Sequence, residues 1–170
     1  NALFESQQRV KSMVLIHEKL YQSNDLSNIN YADYVSSLTR TLFRSYSLDT
    51  SKVELKMNIK EISLNTDLAM YFGLIINELV SNSIKHAFPG DLKGSIWIDF
   101  FSDDSGKFTL IIKDDGVGMP ADFDLSKAET LGMQLVNTLV EQIDGNIEMS
   151  AGKGTRFEIT FFIKKEESKK

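Results

Sequence analysis

The sequence predicts an α+β fold, a two-layer α/β sandwich with a mixed, mostly antiparallel sheet preceded by two helices. Apolar patterns follow one another along the chain as two helices and then β-α-β-β-α-β-β. A sheet with helices over one face buries the apolar side of every such element, which makes it the simplest two-layer solution. The 170 residues suffice for one domain of ordinary size with an appended segment.

Composition is typical of a soluble globular protein and argues against several functional classes. Hydrophobic residues make up 42% and charged residues 25% of the chain, and a net charge of −5 disfavours nucleic-acid binding. The absence of cysteine excludes disulfides and thiolate metal sites and suits a reducing compartment, so we expect a cytoplasmic location. The longest apolar run, Leu68 to Ile76, is about half of a membrane span, so we expect no membrane contact.

The first two predicted helices form a segment of their own. Apolar residues recur at helical spacing over 2–22, and Asn30 is suited to cap a second helix at 31–46. Because no strand separates these helices, we expect them to pair with a second copy of the chain. We therefore predict a helical segment over 1–48 and a domain over 49–170. The chain begins inside a helical pattern, so we expect it to be part of a longer protein.

The remaining elements are predicted from alternation, caps and turn residues. Apolar and polar residues alternate from Val53 to Ile59, which predicts a half-buried strand. A long helix is predicted from Asn65 to about Phe88, where Pro89 and Gly90 end it. The other predicted elements are strands at 95–101 and 107–113, a helix at 131–144, and a hairpin of strands 146–150 and 155–163.

Four short segments carry the candidate chemistry: NELVSNSIKHAF (77–88), KDDGVGMP (113–120), LGMQLV (131–136) and GKGTRF (152–157). Each segment alone has an ordinary structural explanation, such as a solvent-facing helix stripe or a polar turn. In this order they combine a Glu–Asn pair on a helix, an acidic strand end, two glycine turns and a helix start. Such a set can hold a magnesium nucleotide without a Walker loop.

The first segment places Glu78 and Asn82 one helical turn apart, with Lys85 and His86 on the next turn. An amide oxygen is a suitable hard ligand for Mg²⁺, and a carboxylate one turn away can orient or deprotonate a nucleophile. A lysine supplies positive charge for phosphates. A polar face turned to water is the alternative explanation for this stripe.

The glycine-containing segments supply the other candidates. Asp115 follows a strand and leads into Gly116 and Gly118, and its carboxylate can accept from an exocyclic amino group, which would select adenine over guanine. Gly132 begins a helix whose free amide groups favour phosphate, and Thr155 can hydrogen-bond near a base. A polar β-turn, a plain helix cap and a tight hairpin are the structural alternatives.

Together the four segments resemble the ATP-binding catalytic domain of sensor histidine kinases, in the superfamily shared with DNA gyrase, MutL and the heat-shock ATPase chaperones. NELVSNSIKHAF is similar to the family's N-box, DDGVGMP to its first glycine box, LGMQLV to its second, and GKGTRF to the turn that closes the site. This match covers about 50–163. RVKSMVLIHEKLYQS (9–23) resembles the end of the dimerisation and phosphotransfer helices. The resemblance implies the Bergerat ATP-binding fold, with a short lid over 119–130.

The resemblance also implies two cofactors, ATP and Mg²⁺, and a role for each matched residue. Asn82 would be the magnesium ligand and Glu78 the catalytic base. Asp115 would bind the adenine amino group in the turn shaped by Gly116 and Gly118. The other nucleotide-binding residues would be Lys85, His86, Leu131, Gly132, Met133 and Thr155.

The implied activity is that of a histidine protein kinase of a two-component system, which passes a phosphoryl group from ATP to a histidine and on to the receiver domain of a response regulator. A homodimer through the N-terminal helices is the implied assembly. The chain's two histidines, His17 and His86, do not match the acceptor, which we expect upstream. Two alternatives remain open: an anti-sigma-factor-type serine kinase, and a nucleotide-sensing module without turnover.

Overall fold

The computed structural model describes residues 3, 4, 6, 7, 9–11, 13, 14, 18, 31–60, 62, 64–120 and 130–163. The described residues between 3 and 18 are helical, and the later elements follow in the predicted order. These elements are α1 (Tyr31–Ser45), β1 (Val53–Ile59), α2 (Thr66–His86), β2 (Gly94–Ser102), β3 (Lys107–Asp114), α3 (Leu131–Gln142), β4 (Asn146–Gly152) and β5 (Gly154–Phe162).

The five strands of the described chain form one sheet in the order β1-β2-β3-β5-β4. Strand β1 pairs in parallel with β2, and every other pair is antiparallel, which confirms the predicted mixed, mostly antiparallel sheet. The parallel pair is joined through α2, because parallel neighbours need a crossover connection. Strand β1 has the predicted ends, and the other elements differ from prediction by one or two residues at an end.

Helix α2 is the central helix of the helical layer. The Asn65 side chain caps it by accepting from the Leu68 N–H over 2.9 Å, as the predicted helix start requires. Most of its residues from Ala69 to Ile84 are buried, since it packs against both the sheet and the neighbouring helices. The helix that carries the Glu78–Asn82 pair is therefore fixed in the core.

An aromatic cluster joins α2 to the middle of the sheet. Phe72 of α2 lies 5.2 Å from Phe100 and 4.6 Å from Phe161 between ring centroids, and Phe108 stacks on Phe161 at 5.0 Å. Aromatic pairs at these distances stabilise a fold beyond the area that they bury. The cluster sets the distance between α2 and the strands that carry the glycine segments.

Helix α1 shares this core. Its apolar face buries Tyr34, Val35, Leu38 and Leu42, and the Tyr31 ring lies 5.5 Å from Phe100. Residues 31–45 therefore pack with the sheet in one hydrophobic core, and the domain boundary at 48/49 stays a prediction. Desolvation raises the pKa of the Tyr31 and Tyr34 hydroxyls, so both stay neutral.

Several sequence-based expectations fall outside the described residues. They concern most of the first helix with His17, the Asn30 cap, residues 121–129 of the lid, and the charged tail after Ile163. In the part of the chain that the structure describes, no helix is both long enough and apolar enough to cross a membrane.

Candidate functional site

A cavity of about 130 Å³ lies where the end of α2, the end of β3, the start of β5 and the N-terminus of α3 meet. Its volume is close to the ~150 Å³ of an engineered apolar cavity that holds benzene, so it has room for a planar ring system. Because β3 and β5 are antiparallel neighbours, the last residue of β3 lies beside the first residues of β5. The lining residues are Asn82, Ser83, His86, Ala87, Asp114, Gly118, Met119, Thr130, Met133, Thr155 and Phe157.

Asp114 is the buried acid of this cavity, with 7% of its surface exposed. Ser83 Oγ donates to its Oδ2 over 2.8 Å, and the backbone N–H groups of Gly116 and Thr155 donate to Oδ1 over 3.1 and 3.2 Å. Donors from α2, the glycine turn and β5 thus hold the carboxylate in one orientation. A carboxylate has about four acceptor sites, so these three bonds leave capacity for a ligand donor.

Asp115, the residue predicted to bind adenine, does not line the cavity. It is exposed, and its Oδ1 accepts from the Ser95 N–H over 2.7 Å. Successive side chains of a strand point to opposite faces, so Asp114 continues the buried face of Leu110 and Ile112 while Asp115 turns away. Of the two neighbouring acids, Asp114 and not the predicted Asp115 therefore faces the cavity.

The turn after β3 packs against the C-terminal end of α2. Gly118 lines the cavity with φ of 77°, where a Cβ would also lie 2.8 Å from the Gly152 carbonyl oxygen. A Cβ at Gly116 would overlap the Ala87 carbonyl, and the Val117 N–H donates to that same oxygen over 2.9 Å. Both predicted glycines are thus required by backbone approach.

The structure brings five of the predicted nucleotide-binding residues into the lining: Asn82, His86, Gly118, Met133 and Thr155. Asn82 is half-buried, and its Nδ2 donates to the Met133 sulfur over 3.5 Å. His86 is exposed at the rim. The amide and the imidazole therefore lie at the opening of the cavity, on successive turns of α2.

Besides Asp115, Gly116 and Gly132, two more predicted nucleotide-binding residues, Lys85 and Leu131, do not line the cavity. Lys85 Nζ is 5.7 Å from the centroid of the Tyr46 ring, and the residue borders a separate cavity between α2 and the segment before β1. This position does not support the expected phosphate contact. Leu131 is 65% exposed at the first position of α3 and does not line the cavity.

Glu78 is held in an ion pair beside the N-terminus of α3. Arg9 Nε and Nη2 donate to its two carboxylate oxygens over 2.6 and 2.8 Å, and Asn77 Nδ2 donates to Oε1 over 3.1 Å. A Cβ at Gly132 would lie 2.5 Å from Glu78 Oε2, so the glycine lets the carboxylate approach the helix start. Amide dipoles at a helix N-terminus stabilise a negative charge there.

Sequence reasoning missed Asp114, its partner Ser83, and the apolar walls Met119 and Phe157. Strand alternation was the available signal for Asp114, because counting by two from the apolar positions of β3 reaches 114 and not 115. Ser83 carried no such signal, since its role depends on β3 lying beside α2.

The fold is that of histidine kinase catalytic domains. The histidine kinase domain of the Erythrobacter litoralis EL346 blue-light-activated kinase superposes with a TM-score of 0.82 at 18% identity, covering 92% of this chain and 74% of that one. The Acinetobacter baumannii histidine kinase AdeS gives a TM-score of 0.65 at 19% identity, covering 92% of this chain and 77% of that one.

Sequence comparison gives the family. The model described as histidine kinase-, DNA gyrase B- and HSP90-like ATPase matches residues 69–166, and a histidine kinase model matches residues 1–46. The chain therefore belongs to the histidine kinase-, DNA gyrase B- and HSP90-like ATPase family, as a histidine kinase ATPase domain.

Two curated sensor kinases are similar to this chain. The sensor histidine kinase PdtaS of Mycobacterium tuberculosis is 33% identical over 155 residues, which are 87% of this chain and 29% of that protein. The sensor histidine kinase YdfH of Bacillus subtilis is 35% identical over 94 residues, which are 54% of this chain and 22% of that protein. The chain thus spans less than a third of either relative.

Proposed function

We propose that this chain binds Mg-ATP in the cavity beside Asp114 and transfers the γ-phosphoryl group to a histidine of a partner segment, for relay to the receiver domain of a response regulator. The observation that carries the proposal is the buried Asp114 carboxylate, held by three donors in a ring-sized cavity. A buried carboxylate with remaining acceptor capacity recognises an amino group, and Met119, Met133 and Phe157 offer apolar surface to a flat base.

Adenine fits this chemistry better than guanine. The exocyclic amino group of adenine can donate to Asp114, whereas the guanine oxygen at the same ring position would face a carboxylate as a second acceptor. The Thr155 side chain lies in the same wall and can complete the contact with the base. Asp114 therefore takes the role that the sequence pattern assigned to its neighbour.

The Asn82 amide is suited to magnesium held by nucleotide phosphates. Over the described residues no three His, Cys, Asp or Glu side chains gather into a metal cluster. Mg²⁺ bound to a nucleotide takes most of its ligands from phosphate oxygens and water, so one amide oxygen at the cavity mouth matches its needs. Bound there, the metal would neutralise phosphate charge, and His86 on the next turn of α2 would lie beside the nucleotide.

The proposed transfer forms a bond between the acceptor imidazole nitrogen and the γ-phosphorus and breaks the bond from that phosphorus to the β-γ bridging oxygen. ADP leaves, and the imidazole proton passes to the Glu78 carboxylate. Glu78 lies one turn before Asn82 on a buried helix, which supports this role. Positioning and charge neutralisation supply most of the rate in such a reaction.

A histidine acceptor is favoured over a serine because residues 1–46 match a histidine kinase family model. His86 lies at the nucleotide side of the cavity, where it cannot approach the γ-phosphate opposite the leaving ADP. His17 does not match the family's acceptor position either, so the acceptor is proposed to lie outside this chain. Exposed Leu3, Val10, Met13 and Val14 on the N-terminal helical residues support a homodimer formed by this segment.

Incubation with labelled ATP tests the proposal. The chain should transfer label to a supplied dimerisation segment of a related sensor kinase that carries the acceptor histidine. Neither His17 nor His86 should hold acid-labile label when the chain is incubated alone. Glu78→Ala should slow transfer more than it weakens ATP binding. Label on His17 that disappears in His17→Ala would contradict the assignment, as would transfer to serine.

A further inference from the structure

The carboxylate of Glu78, the proposed base, is buried and ion-paired in this structure. The Glu78 side chain is 7% exposed, the Arg9 side chain 13%, and the two share a bidentate ion pair across 69 positions of sequence. Asn77 Nδ2 occupies a third acceptor site on Oε1. A general base needs an acceptor site directed at the proton that it removes. These three donors take three of its about four acceptor sites. Since the Glu78 side chain is also buried outside the nucleotide cavity, an incoming imidazole cannot reach the remaining site while Arg9 is in place.

We infer that Arg9 controls the proposed phosphoryl transfer: the Arg9–Glu78 pair is an autoinhibitory latch that must open before Glu78 can accept a proton. This inference rests on the proposed role of Glu78. It extends the site to the N-terminal helical residues, none of which, among those that the structure describes, lines the nucleotide cavity. Movement of the segment that carries Arg9 would then set the availability of the base.

The start of α3 lies against the pair and can stabilise Glu78 when Arg9 is absent. The Gly132 position lies against Glu78 and Arg9, since a Cβ there would be 2.5 Å from Glu78 Oε2 and 3.4 Å from Arg9 Nη2. When Arg9 leaves, the N-terminal amides of α3 still stabilise the carboxylate charge. These amides replace only part of the lost ion pair, and a partly uncompensated buried charge favours any rearrangement that brings the carboxylate into contact with water. The released Glu78 would therefore be both charged and accessible.

The test measures access to Glu78 separately from activity. Wild type, Arg9→Gln and Arg9→Lys are labelled with a water-soluble carbodiimide and an amine, and the rate at Glu78 is read by peptide mass spectrometry. Arg9→Gln should label Glu78 at least about tenfold faster than wild type, the factor expected from loss of charge-assisted hydrogen bonds. Arg9→Lys keeps the positive charge but cannot form the bidentate pair, so its rate of Glu78 labelling should lie between those of wild type and Arg9→Gln.

Arg44→Gln is the matched control, because it removes the same charge from an exposed helical position on α1. It should leave Glu78 labelling at the wild-type rate, and the exposed Glu54 should label equally in all variants. Thermal melting followed by circular dichroism checks that each variant is folded. If Arg9→Gln does not fold, the rate of Glu78 labelling is compared between Arg9→Lys and wild type instead.

The second measurement is transfer of label from ATP to the supplied acceptor segment. Faster transfer in Arg9→Gln, with unchanged affinity for ADP, is the expected result. Equal labelling of Glu78 in wild type and both Arg9 variants would overturn the latch. Faster labelling with unchanged transfer would overturn Arg9 as a control of the reaction. Failure of wild-type protein to bind nucleotide would instead overturn the proposed function.

Discussion

Asp114 and Asp115 are neighbours of identical chemistry in different environments. Asp114 is buried and accepts from three donors, whereas Asp115 is exposed and accepts from the Ser95 backbone on the other side of the strand end. A carboxylate that is already desolvated and oriented binds an amino group at little further cost. An exposed one must first give up water. We therefore propose Asp114, and not Asp115, for recognition of the base.

Asp114→Asn should weaken Mg-ADP binding by on the order of 1.5–3 kcal/mol, about tenfold to a hundredfold in Kd, because one charged acceptor is lost. Asp115→Asn is the matched control and should change the affinity little. Isothermal titration calorimetry measures both. Since Asp114 also binds Ser83 Oγ, melting curves must show that the variant is folded. Equal loss of affinity in the two variants would contradict the assignment.

Asn82 offers a second test at the residue scale. Asn82→Ala should abolish the part of nucleotide affinity that depends on Mg²⁺ while leaving metal-free ADP binding, because the amide would contact the metal and not the base. Calorimetry with Mg²⁺ and with EDTA separates the two. A uniform drop in both titrations would make Asn82 a structural residue, acting through its contact with Met133.

The turn between β2 and β3 shows how one side chain shapes an element. Asp103 Oδ1 accepts from the Ser105 N–H over 2.9 Å, from Ser105 Oγ over 2.6 Å and from the Lys107 N–H over 3.1 Å. These bonds, the Ser105 hydroxyl first, hold the pKa of Asp103 below its usual value of 3.8. The hairpin is thereby ordered far from the nucleotide cavity.

The lowered pKa of Asp103 determines how this carboxyl group changes the stability of the fold with pH. A carboxyl group that binds protons less readily when folded adds stability above its unfolded pKa, and this contribution is lost as pH falls through the folded pKa. NMR titration should therefore give Asp103 a pKa below 3.8, with amide shifts at Ser105 and Lys107 that follow it. A pKa at or above the usual value would contradict the turn geometry.

At the scale of the whole molecule, α1 and the sheet share one core, so they should unfold together. Leu38 is 1% exposed in α1. Leu38→Ala should lower the free energy of unfolding by roughly 2–5 kcal/mol, the usual effect of a large-to-small change in a core. Arg44→Ala on the exposed side of α1 should change it by less than about 0.5 kcal/mol. Urea denaturation followed by circular dichroism and Trp97 fluorescence measures both.

The two signals should change in a single transition for wild type and for Leu38→Ala. An early loss of helix that leaves the Trp97 signal intact would show that α1 unfolds by itself. In that case the predicted boundary at 48/49 would separate two independent units.

Local sequence determined the elements and the class of site. Alternation from Val53 to Ile59 placed β1 with its observed ends, and the Asn65 cap placed the start of α2, because both signals depend on neighbours a few residues away. The glycine turn at 116–118 was predictable for the same reason, since a positive φ and close backbone approach exclude other residues.

Tertiary structure alone decided which side chains meet. Ser83 binds Asp114 across 31 positions and Arg9 binds Glu78 across 69, and no local pattern encodes such pairs. The burial of α1 against Phe100 is likewise decided by packing, since an amphipathic helix suits a dimer partner or its own sheet equally well. Periodicity specifies which face of an element is apolar, whereas the partner of that face depends on the fold of the whole chain.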